Sequence, residues 1–355
     1  MKFARTDEQF MRAALAEAKQ GWGRTSPNPV VGAILVCRGR IVARGHHARA
    51  GGPHAEIASL HDLGGPVASD ATLYVTLEPC STTGRTPPCT KAIIDAGVRT
   101  VVIGALDVNP RHSGRGISEL QNAGIVVRTG VLASESLRLN EAFNKWILTR
   151  RPLVVAKCGM SLDGRLNRSA DEQRWITDAP ARRDVHRLRA QVDAILIGAE
   201  TVRKDNPRLT VRGIRGAKQP WRVVITRSGV LPNKARLFSD GWAHRTLLYR
   251  RKSLAAVLKD LGRREIVSVL LEGGGRLLGA ALDSGLVDKV QIYLGPILTG
   301  GGVAAFAGRG AISTQAAEHL EEVTYTQVGQ SIRITGYVRR PSRKRGNKLR
   351  NFLPR

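Results

Sequence analysis

Cysteine is scarce in this chain: only Cys37, Cys80, Cys89 and Cys158 occur among 355 residues. So few thiols cannot build the dense disulfide framework of a small secreted domain. Aromatic residues make up 5% of the chain and form no cluster on which successive bases could stack, which counts against a nucleic-acid-binding protein. Long apolar runs are also missing. The stretch MKFARTDEQFMRAALAEAKQ lacks the apolar core of a signal peptide, and nothing approaches the length of a membrane-spanning helix. These absences lead us to expect a soluble cytoplasmic protein with no membrane partner, in which a close cysteine pair binds metal or does chemistry. Acidic residues are the last shortage. Against 56 Lys and Arg stand 29 Asp and Glu, a net charge of +27, and such a field attracts anions, from nucleic acid to phosphorylated metabolites.

What is present has room for two domains at this length. Thr6 and Gln9 form a capping-box pattern, and Phe10, Ala14 and Ala18 follow at helical spacing. VVGAILVCRGRIVARG reads as a strand, a turn at Arg38 to Arg40 and a second strand, with Cys37 at the end of the first. HAEIASLHDLGG predicts a helix closed by Gly64 and Gly65, and ATLYVTLEPC a strand that delivers Cys80 at its end. Helix, strand, helix and strand then follow in TKAIIDAGV, RTVVIGALD, GISELQNAGI and VVRTGV. Alternation of this kind predicts an α/β sheet covered by helices.

The pattern restarts after Trp146 to Pro152. PLVVAKCGMSLDG predicts a strand entering a loop, APARRDVHRLRAQV a helix with a basic face, and AILIGAETV a strand into a loop. IVSVLLEGGGRLLGAALDSGLVDKVQIYLGP predicts strand, glycine-rich turn, helix and strand. We expect two α/β units over residues 1–148 and 149–338. A tail over 339–355, with eight basic residues and no acidic one, has the composition of a solvated, disordered segment.

His54, at the start of a predicted helix, joins Cys80 and Cys89 as one imidazole and two thiolates. These are good zinc ligands, and three of them leave a fourth position for water, as catalytic zinc requires. Glu56 would sit near the metal without binding it, placed to shuttle a proton. H-x-E followed by P-C-x-x-C is the signature of nucleobase deaminases. Here eight residues separate the cysteines, and the Gly and Pro residues of STTGRTPPC allow the chain to return. Taken singly, a His-x-Glu or a cysteine-bearing turn is common; together and in this order they point to Zn2+.

The segments TSPNPVVG, AGGPHAE, VTLEPCSTTGRTPPC and DVNPRHSGRG resemble the N-terminal half of the bifunctional riboflavin biosynthesis deaminase/reductase family. The resemblance implies a cytidine-deaminase-like three-layer domain that hydrolyses the 2-amino group of a diaminopyrimidinone ribosylamino 5′-phosphate. It implies His54, Cys80 and Cys89 as zinc ligands and Glu56 as proton donor and acceptor. Asn28 and His47 match positions that contact the pyrimidine, and Arg85 faces phosphate. The family carries His two residues after the first Cys; this sequence has Thr82.

KCGMSLDGR, WITDAPARRDVHRLRA, AETVRKDNPRLTVR and LEGGGRLLGAAL extend the resemblance to about residue 338. They look like the family's reductase, a dihydrofolate-reductase-like α/β domain that uses NADPH and assembles as a homo-oligomer. From the residues alone, Glu272-Gly273-Gly274-Gly275 between a strand and a helix could admit a phosphate or simply turn the chain tightly. The run lacks the G-x-G-x-x-G spacing of a Rossmann loop. Arg182, Arg183, Arg187 and Arg189 share one predicted helix, with Lys204, Arg208 and Arg212 after it, either as anion contacts or as a solvated basic face. The resemblance implies that Gly159, Trp175, Thr201, Asp205 and the run Gly274, Gly275, Arg276, Leu277, Leu278, Gly279 and Ala280 contact NADPH. It implies that Gln173, Arg189, Leu209, Arg212 and Glu272 contact substrate. Trp175 equally suits a core aromatic, and Cys158 a buried strand thiol. Where the family reads G-x-S-x-W, this chain reads DEQRW, placing Asp171 and Gln173 in a substrate-contacting stretch. A deaminase whose second domain binds without reducing is the alternative these residues raise; a nucleic-acid binder on a deaminase scaffold is the one the charge raises.

Overall fold

The computed structural model describes residues 5–82, 87–166, 175–301 and 303–339. The chain divides between Thr149 and Arg150 into two compact units. Arg85, Asp171, Gln173 and the tail from residue 340 lie outside the described residues.

In the first unit, helix α1 (Arg5–Ala18) turns Met11, Ala14, Leu15 and Ala18 inward at three- and four-residue spacing. It already contains Arg5, so Thr6 lies inside the first turn and is not its cap. The neighbouring Asp7 is buried, accepting from the Tyr74 hydroxyl at 2.7 Å and from Arg128. Strands β1 (Gly32–Cys37) and β2 (Arg40–His46) form a hairpin. Its turn is Arg38 and Gly39, with φ of 47° and 72°, the left-handed pair that matches the twist of a tight hairpin. Arg40 therefore belongs to β2 and not to the turn.

Helix α2 (Ala55–Leu63), strand β3 (Thr72–Leu77), α3 (Cys89–Asp95), β4 (Thr100–Ala105), α4 (Arg115–Asn122) and β5 (Val126–Thr129) follow, then α5 (Ala133–Leu139) and α6 (Glu141–Thr149). The sheet order is β2-β1-β3-β4-β5. β1 runs antiparallel to both neighbours, while β3, β4 and β5 are parallel. The segments leaving β3 and β4 therefore emerge side by side at one edge, the usual place for a site on a parallel sheet.

The second unit contains β6 (Leu153–Ser161), α7 (Ala179–Gln191), β7 (Ala194–Gly198), α8 (Ala199–Asp205), β8 (Trp221–Thr226), α9 (Arg236–Ser239), β9 (Thr246–Arg250), α10 (Leu254–Arg263), β10 (Ser268–Leu271), α11 (Gly275–Asp283), β11 (Lys289–Gly295), β12 (Leu320–Val328) and β13 (Ser331–Val338). Eight strands lie in the order β12-β13-β11-β6-β10-β7-β8-β9. From β11 to β9 all neighbours are parallel, and β13 and β12 pair antiparallel at one end. The central strands are near-continuous apolar runs, as buried parallel strands are. Val154, Ala156, Leu196, Val269 and Leu271 pack there with Leu258 and Leu278 of the helices. AETV, expected as loop, is the first turn of α8. The chain enters that helix directly from Gly198 in extended backbone.

Candidate active sites

His54 is the residue just before α2, in extended backbone, and Cys89 is the first residue of α3. Cys80 follows the C-terminal end of β3. Their ligand atoms all lie within 4.8 Å of one another. His54 Nδ1 is 3.2 Å from Cys89 Sγ and 3.6 Å from Cys80 Sγ. Nitrogen and sulfur bound to one tetrahedral zinc stand roughly 3.5 Å apart, so the donor set and its spacing fit that ion. The Cys89 N–H also points at Cys80 Sγ, at 3.4 Å. Hydrogen bonds from Cys89 outweigh the cost of burying the Cys80 thiolate, and His54 adds to them, so the Cys80 thiol is pushed down. A thiolate is the form that binds zinc.

Glu56, in the first turn of α2, is 3% exposed. Burial pushes its carboxyl up to about 7, Cys80 adds to the rise, and a bond with Cys89 opposes it. The carboxyl is therefore able both to take and to give a proton beside the three donors. His47 is 2% exposed, and its ring meets that of His54 edge-on at 5.3 Å. His47 Nδ1 lies 2.9 Å from the Pro53 carbonyl and Nε2 lies 3.1 Å from Asn28 Nδ2. A carbonyl only accepts, so Nδ1 carries the hydrogen and Nε2 accepts from Asn28. Burial lowers the His47 pKa, which keeps this neutral form. Asn28, His47, His54, Glu56, Cys80 and Cys89 thus form one cluster.

Sequence reading missed Glu78, just before Pro79-Cys80. Its buried carboxylate accepts from the N–H groups of Asp107, Gly114 and Gly116 at 3.2, 3.0 and 3.0 Å. The segment after β4 is thereby pinned beside the cysteines.

In the second unit, Arg189 on α7 and Glu272 after β10 come together across 83 residues. Arg189 Nε and Nη2 bond the two carboxylate oxygens at 2.7 and 2.8 Å. Lys157 of β6 lies 3.7 Å from the same carboxylate. Burial alone would raise Glu272, but Arg189 and Lys157 overcome it and hold the carboxyl at about 2. The Arg212 N–H donates to His186 Nδ1 at 3.3 Å. Burial, then Arg189 and Arg212, push His186 down to about 4. Arg189, Arg212 and Glu272 are therefore neighbours, and Leu209 is buried in the same segment as Arg212. Lys157 and His186 belong to this cluster too, and only contacts between segments far apart in the chain reveal them. Arg183 and Arg187 are exposed, the solvated part of the basic helix.

Trp175 is 69% exposed, so it is not a core aromatic, and the Arg182 guanidinium stacks 4.8 Å from its ring centre. Cys158 is buried in its strand, and burial raises its thiol to about 11. Thr201 on α8 approaches Gly274, where an added Cβ would stand 3.9 Å from the threonine hydroxyl. Gly159 lies on β6 and Asp205 ends α8. The run from Gly274 to Ala280 divides. A Cβ on Gly275 would collide with the Ala304 carbonyl and one on Gly279 with the Gly308 amide, so the chain's own backbone demands those two glycines. Leu278 is in the core. Gly274, Arg276 and Ala280 are exposed, and Leu277 is half-buried.

Comparison with known proteins agrees with both halves. Residues 152–334 match the RibD C-terminal domain, and residues 4–105 match the cytidine and deoxycytidylate deaminase zinc-binding region. The riboflavin biosynthesis protein RibD of Synechocystis is 40% identical over 358 residues, covering 94% of this chain and 96% of the relative. RibD of Acinetobacter baumannii superposes with a TM-score of 0.87 at 34% identity, covering 95% of this chain and 99% of that one. A Thermotoga maritima protein superposes with a TM-score of 0.86 at 36% identity, covering 94% and 99%. That protein is described as a diaminohydroxyphosphoribosylaminopyrimidine deaminase and 5-amino-6-(5-phosphoribosylamino)uracil reductase.

Proposed function

Since this chain belongs to the RibD family of riboflavin-biosynthesis deaminase/reductases, enzymes that use zinc and NADPH, we propose that it carries out both reactions with the residues brought together in its two clusters. The substrate is a small phosphorylated pyrimidine, the diaminopyrimidinone ribosylamino phosphate, met in the cytoplasm where thiols stay reduced. We assign residues 1–148 to deamination and 149–338 to reduction.

His54, Cys80 and Cys89 would hold the zinc. When bound, zinc supplies a Lewis acid that makes water a nucleophile near neutral pH. Glu56 would take a proton from the attacking water and deliver it to the ring nitrogen, then carry the proton left on the new hydroxyl to the amino group, which leaves as ammonia. Its raised pKa suits both directions. Asn28 and His47 fix the pyrimidine edge: the Asn28 amide keeps an acceptor oxygen while its nitrogen is committed to His47.

NADPH, when bound, supplies hydride to C1 of the ribosyl unit. Gly159, Thr201, Asp205, Trp175 and the exposed part of the Gly274–Ala280 run would hold it. Glu272, kept ionised by Arg189 and Lys157, gives the substrate a fixed acceptor, and Arg212 meets its anionic end. The observation that carries the whole reading is the convergence of His54, Cys80, Cys89 and Glu56 on one point. Its test is mass spectrometry of products from the purified, zinc-loaded protein. Exchange of an amino for an oxo group without NADPH, and gain of two hydrogens with it, is the expected result. No deamination would overturn the reading, and deamination without reduction would leave a deaminase alone.

A further inference from the structure

We propose that His112 binds the phosphate of the deaminase substrate, acting with Thr82 at the mouth of the metal cluster; this rests on the deaminase reading above. Thr82 stands two residues beyond the ligand Cys80 and exposes its hydroxyl. Thirty residues on, His112 brings Nδ1 to 3.5 Å from Thr82 Oγ1. That separation is the outer limit of a hydrogen bond. Whichever of the two donates, one donor is left for an oxyanion: the ring Nε2–H when the hydroxyl donates, or the hydroxyl when Nδ1 donates.

The backbone that carries this imidazole is held by the fold. Glu78 is 4% exposed and directly precedes Pro79-Cys80, and its three backbone bonds bracket the segment from Asp107 to Gly116. Within that bracket, Asp107 accepts from the Asn109 N–H and Asn109 from the Arg111 N–H. The His112 N–H bonds the Asn109 carbonyl at 2.9 Å, and its carbonyl accepts from the Arg115 N–H at 2.8 Å. The backbone of His112 is thus tied to the cysteine-bearing segment through one carboxylate. The segment's one carboxylate, Asp107, is buried, and its exposed charge is basic. PRHSGR, residues 110–115, has Arg111, His112 and Arg115 and no acidic residue. Thr82 stands where the family resemblance implies a histidine, so an imidazole reaches this place from the neighbouring segment instead.

The test compares deamination of the phosphorylated substrate with that of its dephosphorylated counterpart. With His112→Ala, KM for the phosphorylated compound should rise roughly tenfold, the value of one charge-assisted hydrogen bond, while kcat and zinc content hold. KM for the dephosphorylated compound should not change. Adding Thr82→His to His112→Ala should return KM toward the original value. An unchanged KM in His112→Ala, or an equal rise with both compounds, would overturn the assignment while leaving the deaminase reading intact. Wild-type protein that deaminates neither compound would overturn both.

Discussion

The guanidinium of Arg189 and the carboxylate of Glu272 meet as a fork, with both bonds under 3 Å and side chains only 13% and 8% exposed. Removing one member strands the other's charge in a dry place, a loss of roughly 3–5 kcal/mol. Glu272→Gln should therefore lower the melting temperature of the second unit by about 10 °C and abolish NADPH oxidation. The double change Arg189→Met with Glu272→Leu should regain most of the stability and none of the turnover. Differential scanning fluorimetry and the NADPH absorbance, read on the same samples, check both halves.

His186 gives a prediction in pH. Its folded pKa of about 4 lies below the unfolded value of 6.5. Between those values the unfolded chain binds a proton that the folded chain does not, so stability falls as pH drops from 6.5 toward 4. Above pH 6.5 the difference disappears. Urea unfolding followed from pH 4 to pH 8 should show a shallower acid slope in His186→Gln than in the original protein. Equal slopes would mean that burial and the charges of Arg189 and Arg212 do not lower the pKa of this ring.

Zinc removal should separate the two chemistries. Cys80→Ser or Cys89→Ser should cost most of the bound zinc and at least a hundredfold in deamination, because a hydroxyl is a poor substitute for thiolate. Reduction of already deaminated substrate should continue, since its residues all lie beyond Arg150. Metal analysis and separate assays of the two half-reactions decide it. Glu56→Gln should keep the zinc and lose the same deamination, about 10²–10⁴-fold, as loss of a proton carrier implies.

How much of this was legible in the sequence depends on how local the signal is. His54 and Glu56 stand two residues apart, and eight residues separate Cys80 from Cys89, so order and spacing alone point to zinc. The α/β alternation was equally readable, because buried parallel strands such as β6 and β10 are short apolar runs. The antiparallel β12–β13 pair escaped notice: LEEVTYTQV mixes polar and apolar residues along a strand with no fully buried position and gives no apolar run. AETV looked like loop because α8 begins without a capping side chain. Lys157, His186 and Glu78 were invisible for another reason. Their roles exist only through contacts with residues far along the chain, such as Glu78 with Gly116 across 38 positions.

Glu78 makes the last prediction, and it can be separated from a plain loss of folding. Its carboxylate holds three N–H groups of the segment after β4, and a glycine there is part of the arrangement. A Cβ on Gly116 would collide with the Pro79 carbonyl, so the two segments touch backbone to backbone. Glu78→Gln replaces one acceptor oxygen by a donor nitrogen, which faces N–H groups that are donors themselves. The cost is about 1–3 kcal/mol, small enough for the first unit to stay folded around its sheet. Hydrogen exchange should then quicken at the amides of Asp107, Gly114 and Gly116 and stay slow in β3 and β4. If the segment carries a substrate contact, KM for deamination should rise several-fold while zinc content is unchanged. Faster exchange with an unaltered KM would make Glu78 a staple of the fold alone, and unaltered exchange would show that its three bonds are dispensable.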